Sequence, residues 1–166
     1  AGEGVSLSCE ERTTLWEWVA ESAAPDKVLI AAAGDAGVRE TVRLMTVAAD
    51  LGYTAALLDP RPCAWSPAEQ ALYVRTVAAQ SKLPIILQSA GIELPGHPNV
   101  IAAVVEDPSS VRPGRTALAG SEATFWNCLS AGAAGAVLPF TNAAPYTLVS
   151  IWEAHRMREA EAAADW

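Results

Sequence analysis

The chain has 166 residues, 51% of them hydrophobic, and a formal net charge of −8 at pH 7. This length and composition suit one folded domain over residues 1–166 and exclude a disordered chain. The acidic balance argues against nucleic acid as a partner, because phosphates require a basic surface, and it gives no support for an anionic membrane. The longest apolar runs are of strand length, far shorter than a membrane span.

The first predicted helix covers residues 9–23, because Ser8 and Glu11 form a capping box before it and Pro25 ends it. A second capping box, at Ser66 and Glu69, opens a later helix. The predicted strands are 28–33, 53–58, 84–87, 100–105, 116–119 and 136–138, and the other predicted helices are 38–51, 67–80, 122–131 and 146–164. The strands are apolar on both faces and alternate with helices, which predicts a parallel sheet buried by helices.

Two connections are too short for that architecture, since parallel neighbours are usually joined by a crossover helix. Residues 89–98 and 107–114 are rich in proline and glycine and cannot hold such a helix. Either these strands pair in another way or the chain lacks residues at both places. Because every other repeat obeys the rule, we favour the second explanation.

The three cysteines, Cys9, Cys63 and Cys128, are far apart and show no metal-ligand spacing. An odd number of scattered cysteines is typical of reduced, intracellular thiols, so we expect a cytoplasmic protein without a disulfide framework or zinc site.

Several segments, in order, resemble the dihydrodipicolinate synthase and N-acetylneuraminate lyase family. Residues 1–12 resemble its T-T-G-E-x-x-x-L-S-x-E-E-R stretch, and residues 83–87 resemble its L-P-I-x-L-Y-N strand. Residues 97–101 resemble the start of the lysine-bearing strand, and residues 118–122 resemble the S-G-D/E turn. The resemblance implies an α/β fold, a (β/α)8 TIM barrel seen as an incomplete chain without its first strands and two crossover regions. It also implies a homo-oligomer, a dimer or tetramer, and a pyruvate-type ligand.

The departures from the family concentrate on its chemistry. The family lysine that forms a Schiff base falls at Val105 when the acidic residues are aligned, or at Val104 when counted from Asn99. Valine cannot supply the primary amine that an imine needs. The chain has only two lysines, Lys27 and Lys82, and neither stands at this position.

The other family-equivalent site positions are also changed. The proton-relaying tyrosine falls at Gln88, and the T-T-G-E stretch survives only as Ala1, Gly2 and Glu3, without its second threonine. These changes lie where barrel enzymes keep their sites, at the carboxyl ends of strands. The resemblance therefore implies a barrel that has lost Schiff-base catalysis, with no catalytic residue assigned.

Residues at the ends of strands are the candidate ligand-binding groups. Arg61 could clamp a small carboxylate or 2-oxo acid in a polar pocket, or these charges could simply be solvated. Glu3 with Glu106 lacks the further ligands that a metal site requires, so we predict no metal and no cofactor. The candidate ligand-binding positions are Asp59, Arg61, Glu106, Gly120 and Asn142.

Two alternatives stay open. One is an active lyase, aldolase or dehydratase acting on a 2-oxo acid, with carboxylates such as Glu106 as acid and base and Arg61 on the substrate. The other is a structural or regulatory subunit. Trp16 and Trp18 stand two apart on a helix and cannot both face one core, so one of them is available to a partner. His155, in the last predicted helix, is interpreted as a solvated side chain.

Overall fold

The structure is a computed structural model that describes residues 4–60, 65–88 and 96–158. Helices and strands alternate along these residues, except that β3, β4 and β5 follow one another with no α-helix between them in the described residues. The helices are α1 (Cys9–Ser22), α2 (Val38–Asp50), α3 (Pro67–Gln80), α4 (Phe125–Ser130) and α5 (Pro145–Met157). The strands are β1 (Ile30–Ala32), β2 (Ala55–Leu58), β3 (Ile85–Gln88), β4 (Val100–Val105), β5 (Thr116–Ala119) and β6 (Gly135–Ala136). Short 3-10 helices cover Gly4–Ser6, Pro108–Ser110, Glu122–Thr124 and Pro139–Asn142.

The predicted element order is confirmed, with corrections at some boundaries. The helix predicted over 122–131 begins as a 3-10 turn and becomes α-helical only at Phe125. The last helix ends at Met157, earlier than predicted, because Arg158 adopts a left-handed backbone conformation with φ of 62°. Helix ends are the least reliable part of a sequence-based assignment, since fraying and capping geometry decide them.

Both predicted capping boxes are present. The Ser8 hydroxyl accepts a hydrogen bond from the Glu11 amide at 3.2 Å, and the Ser8 amide donates to the Glu11 carboxylate at 2.8 Å. Ser66 and Glu69 repeat the arrangement, with distances of 3.3 and 2.7 Å. Each box satisfies amide groups that the first helical turn leaves without partners, which sets where α1 and α3 begin.

The chain forms two compact units, described over residues 4–102 and 103–158. The prediction that residues 1–166 make a single domain stays a prediction. Within the described residues, no helix has the length and apolar character needed to cross a membrane.

In the N-terminal unit, β1, β2 and β3 are parallel neighbours, with Ala31 opposite Ala56 and Ala56 opposite Ile85. Alternate strand residues face α1, α2 and α3 and form the core, whereas the residues between them lie on the other face. Trp16 is buried in this core, and Trp18 is 63% exposed, as their spacing predicts. The buried core residues include Ala31, Ala33, Leu44, Met45, Ala56, Leu58, Tyr73, Val74, Val77, Ile85 and Leu87.

Asn99 holds the start of β4 beside the start of β3. The Ile85 amide donates to the Asn99 carbonyl at 2.7 Å. The Asn99 side-chain amide lies within hydrogen-bonding distance of three carbonyls, those of Ala78 (3.2 Å), Ser81 (3.1 Å) and Leu83 (3.1 Å). β3 and β4 are hydrogen-bonded neighbours that start side by side, so they are parallel, although no long crossover joins them.

The C-terminal unit contains the end of β4, then β5 and β6. The Gly120 amide donates to the Val105 carbonyl at 2.8 Å, so the carboxyl ends of β4 and β5 meet. β5 and β6 are parallel, with Leu118 opposite Gly135. The connection over residues 106–115 contains one 3-10 turn and no α-helix. Parallel pairing is therefore made across a short connection, and the absence of residues there stays a prediction.

Candidate functional site

Both lysines lie at the amino ends of strands. Lys27 precedes β1, is 65% exposed and pairs with Asp26 at 3.0 Å. Lys82 is exposed and precedes β3. The carboxyl ends of parallel strands gather at the opposite edge of a sheet, where barrel enzymes place their chemistry. No lysine side chain of this chain is therefore placed at the carboxyl end of a strand.

Val104 and Val105 lie on opposite faces of β4. Val100 packs against the helix-covered core, so alternation puts Val104 on the same face of the strand and Val105 on the other. Val104 is 1% exposed and Val105 is 5% exposed. Of the two sequence alignments, the one that uses Val105 thus puts the family's lysine position on the face of β4 opposite to Val104.

Gly120 allows β4 and β5 to approach closely. A Cβ atom at position 120 would lie 2.5 Å from Cγ1 of Val104 and 3.6 Å from Cγ of Glu106. A valine in a strand has little rotamer freedom to move away, so only glycine fits this position without a shift. Gly120 therefore has a packing role at the end of β5.

Glu106 lies on the Gly120 side of β4 and not on the Val105 side. The Glu106 Cγ would lie 3.6 Å from a Cβ atom built at position 120. The Glu106 backbone carbonyl accepts a hydrogen bond from the Thr124 hydroxyl at 2.6 Å. Alternation along the strand puts Glu106 on the face of Val104. The carboxylate is exposed and follows the strand directly.

Asn142 lines an open depression of about 620 Å³ at the ends of β5 and β6. The other lining residues are Glu122, Pro139, Phe140 and Ala143. The Phe140 amide donates to the Glu122 carboxylate at 2.9 Å, which ties the 3-10 turn after β6 to the turn after β5. Sequence reasoning missed Phe140, although an aromatic residue four positions after β6 was an available signal.

In the N-terminal unit, Asp59 and Gln88 lie at the carboxyl ends of β2 and β3. Leu58 is opposite Leu87, so continued register places Asp59 opposite Gln88. Both follow core-facing residues, and alternation puts their side chains on the face away from the helices. Both are half-buried. A Cβ at Gly34 would lie 3.3 Å from the Asp59 backbone, so the end of β1 also approaches this position closely.

Arg12 anchors the end of β1 to α1. Its guanidinium donates to the Gly34 carbonyl at 2.8 Å and to the Asp35 carboxylate at 3.3 Å, and it also contacts the Cys9 sulfur at 3.2 Å. The Arg12 side chain is only 11% exposed. This pairing was not predicted, because the two partners are far apart in sequence. The family-like E-E-R stretch thus has a structural role in this chain.

The turn from Gly34 to Gly37 leads from the end of β1 into α2. The Asp35 carboxylate accepts from the Gly37 amide at 3.1 Å, and the Thr41 hydroxyl accepts from the Asp35 amide at 3.1 Å. The Tyr73 hydroxyl donates to the Asp35 carbonyl at 2.6 Å. These bonds occupy polar groups of the turn within the protein.

The interpretation of His155 as a solvated side chain is wrong. His155 is half-buried. Its ring is edge-on to the Trp126 ring, with 5.4 Å between ring centroids, and stacked on the Trp152 ring, with 6.5 Å between ring centroids. α4 packs against α5, and this tertiary contact brings Trp126 to the histidine.

Four of the predicted site positions, Ala1, Gly2, Glu3 and Arg61, lie outside the described residues. Across residues 4–60, 65–88 and 96–158, no three or more histidine, cysteine or acidic side chains are grouped to hold a metal ion.

Several solved structures have folds similar to that of this chain. A dihydrodipicolinate synthase family protein from Coccidioides immitis is 23% identical, with a TM-score of 0.82 over 96% of this chain and 59% of its own. YagE from E. coli K12, in complex with pyruvate, is 22% identical, with a TM-score of 0.85, and the match covers 99% of this chain and 64% of YagE. N-acetylneuraminate lyase from Mycoplasma synoviae is 22% identical, with a TM-score of 0.86, and the match covers 99% of this chain and 62% of the lyase. The fold is therefore α/β, with six parallel strands that correspond to part of a (β/α)8 barrel.

Residues 1–92 match the dihydrodipicolinate synthetase family, more than half of the chain. The chain belongs to this family, as its sequence segments indicated. It spans about three fifths of the length of the similar structures. No curated protein matches it.

Proposed function

We propose that this chain is a family member without Schiff-base catalysis that binds a small 2-oxo acid or related carboxylate non-covalently. The observation that carries the proposal is the position of the amines. Both lysines precede strands, and the two candidate positions at the end of β4 are valines. A Schiff base requires a primary amine beside the substrate carbonyl, and no lysine of this chain is placed to provide one.

Two observations support retained binding. Structures of relatives, YagE and the dihydrodipicolinate synthase of Acinetobacter baumannii, contain pyruvate. On β4, Val105 shares its face with Ala103, a small side chain.

The test combines intact mass with binding. We expect the protein treated with pyruvate and borohydride to keep its starting mass, because no imine is available for reduction. Titration calorimetry with pyruvate should show binding. A reduced pyruvate adduct would overturn the loss of Schiff-base chemistry, and the absence of pyruvate binding would overturn the retained site.

The carboxylate-based lyase has less support. Glu106, its leading acid and base, lies on the Val104 face of β4, whereas the substrate position that we propose is beside Val105, on the other face. Because a general base must reach the proton it removes, we do not assign Glu106 that role.

We also propose a cytoplasmic homo-oligomer. Cys9 and Cys128 are free thiols, in keeping with a reducing compartment. The exposed Trp18 on α1 provides a large apolar side chain of the kind that subunit interfaces bury.

A further inference from the structure

The open depression formed by Glu122, Pro139, Phe140, Asn142 and Ala143 has no role in the proposed binding of pyruvate itself. Its volume of about 620 Å³ is much larger than a three-carbon acid requires. It belongs to the same unit as Val105 and lies at the same carboxyl edge of the strands. Neighbouring strands are spaced roughly 5 Å apart, so the turns after β5 and β6 lie roughly 5–10 Å from the end of β4.

The chemistry of the lining is apolar. The Phe140 ring is 51% exposed and presents an aromatic surface, and Pro139 and Ala143 add aliphatic surface without side-chain donors. Glu122 already accepts the Phe140 amide at 2.9 Å, which occupies one carboxylate oxygen within the protein. Among the described lining residues, Asn142 is the one neutral polar side chain. Such a surface gains free energy by removing hydrocarbon from water and offers little to a row of hydroxyl groups.

We propose that this depression receives an apolar substituent of the bound 2-oxo acid, a branched alkyl or phenyl group, with Phe140 as the specificity-determining residue. The inference rests on the proposed function, because it names the class of acid that the site takes. A carbonyl carbon near Val105 and a substituent of four to seven carbons would span the roughly 5–10 Å between the two positions.

Titration calorimetry on the full chain tests the inference with four probes: pyruvate, 4-methyl-2-oxopentanoate, phenylpyruvate and a polyhydroxylated 3-deoxy-2-oxo acid. We expect the two apolar acids to bind about tenfold more tightly than pyruvate, since a few buried carbons discriminate by that order. The polyhydroxylated acid should bind no more tightly than pyruvate.

Phe140 variants then locate the preference. Phe140→Ala should remove most of the tenfold gain and leave the dissociation constant of pyruvate unchanged, whereas Phe140→Leu should keep most of it. Phe140 is half exposed, so its truncation spares the core. Tyr146→Ala is the matched control, because Tyr146 is an aromatic residue of the same unit, 87% exposed, that does not line the depression.

The outcomes separate the two proposals. Pyruvate binding without any preference for the apolar acids overturns this inference and leaves the proposed function in place. A preference that survives Phe140→Ala, or that Tyr146→Ala removes equally, also overturns it. Failure of all four acids to bind overturns the proposed function and this inference together.

Discussion

At the residue scale, two adjacent valines at the end of β4 have different environments. Val104 packs beside Gly120, where a Cβ on the glycine would lie 2.5 Å from its Cγ1. Val105 lies on the other face of the strand. The same side chain therefore fills a packing contact at position 104, and at position 105 it lies on the opposite face of the strand, where we propose that the family's lysine would stand.

This difference predicts the outcome of restoring the lysine. We expect Val105→Lys to give a protein in which pyruvate and borohydride produce a covalent adduct on Lys, because an amine placed on the substrate face, with its pKa lowered by burial, is nucleophilic. Val104→Lys is the matched control and should give no adduct, since its side chain faces Gly120. Intact-mass spectrometry reads both, and thermal denaturation checks that each variant folds. An adduct on Val104→Lys alone would show that the family's lysine position corresponds to residue 104 and not to residue 105.

At the element scale, capping boxes set the starts of α1 and α3. In both helices a serine and a glutamate three residues later exchange hydrogen bonds. Hydrogen bonds from the Ser8 amide and hydroxyl lower the pKa of the Glu11 carboxyl, and those from the Ser66 hydroxyl and amide lower the pKa of Glu69. Because each folded-state pKa lies below the ordinary value of 4.5, the capping stabilisation is present above that pH and is lost as the pH falls through the lowered pKa.

We therefore expect the double variant Glu11→Gln, Glu69→Gln to lose less stability than the parent chain when the pH falls below 4.5. Glutamine keeps an acceptor for the capping hydrogen bonds but carries no charge that protonation can remove. Thermal denaturation from pH 6 to pH 2 measures the difference. Glu10→Gln removes a charge from the same turn without touching the capping bonds, and it should leave the pH profile nearly parallel to that of the parent. Parallel profiles for all three proteins would contradict the assignment.

At the scale of the whole molecule, family membership raises the question of assembly. α1 carries Leu15, Trp18 and Val19, which are 43%, 63% and 38% exposed. Positions i, i+3 and i+4 lie together on one helix face, so these side chains form a continuous apolar surface. Large exposed aromatic residues are enriched where subunits meet.

We expect the chain to form a dimer or tetramer in solution and Trp18→Asp to reduce its mass to that of the monomer. The melting temperature of the dissociated variant, compared with the parent at a concentration where the parent is also monomeric, should change little because the side chain is exposed. Sedimentation equilibrium measures the mass. Tyr146→Asp, an equally drastic change at an exposed aromatic residue, should leave the assembly intact. A parent chain that is monomeric at all concentrations would contradict the expectation.

Much of the fold could be predicted from the sequence because its signals are local. The capping boxes need only residues three apart, and Gly52 ends α2 with a positive φ of 86°. The buried strands read as short apolar runs between turn residues. The ends of α4 and α5 were less accurate, because a 3-10 turn and the left-handed Arg158 decide them and neither leaves a strong sequence signal.

By itself, the sequence determined the order of strands and helices and the family, and it predicts valine at the family's lysine position in either alignment. Only the tertiary structure decided which valine lies on which face, because side-chain direction depends on where β4 packs. It also decided the contacts between distant residues: Arg12 with Asp35, His155 with Trp126, and Phe140 with Glu122. Local propensities cannot specify such pairs, because their free energy arises only when separate elements are brought together.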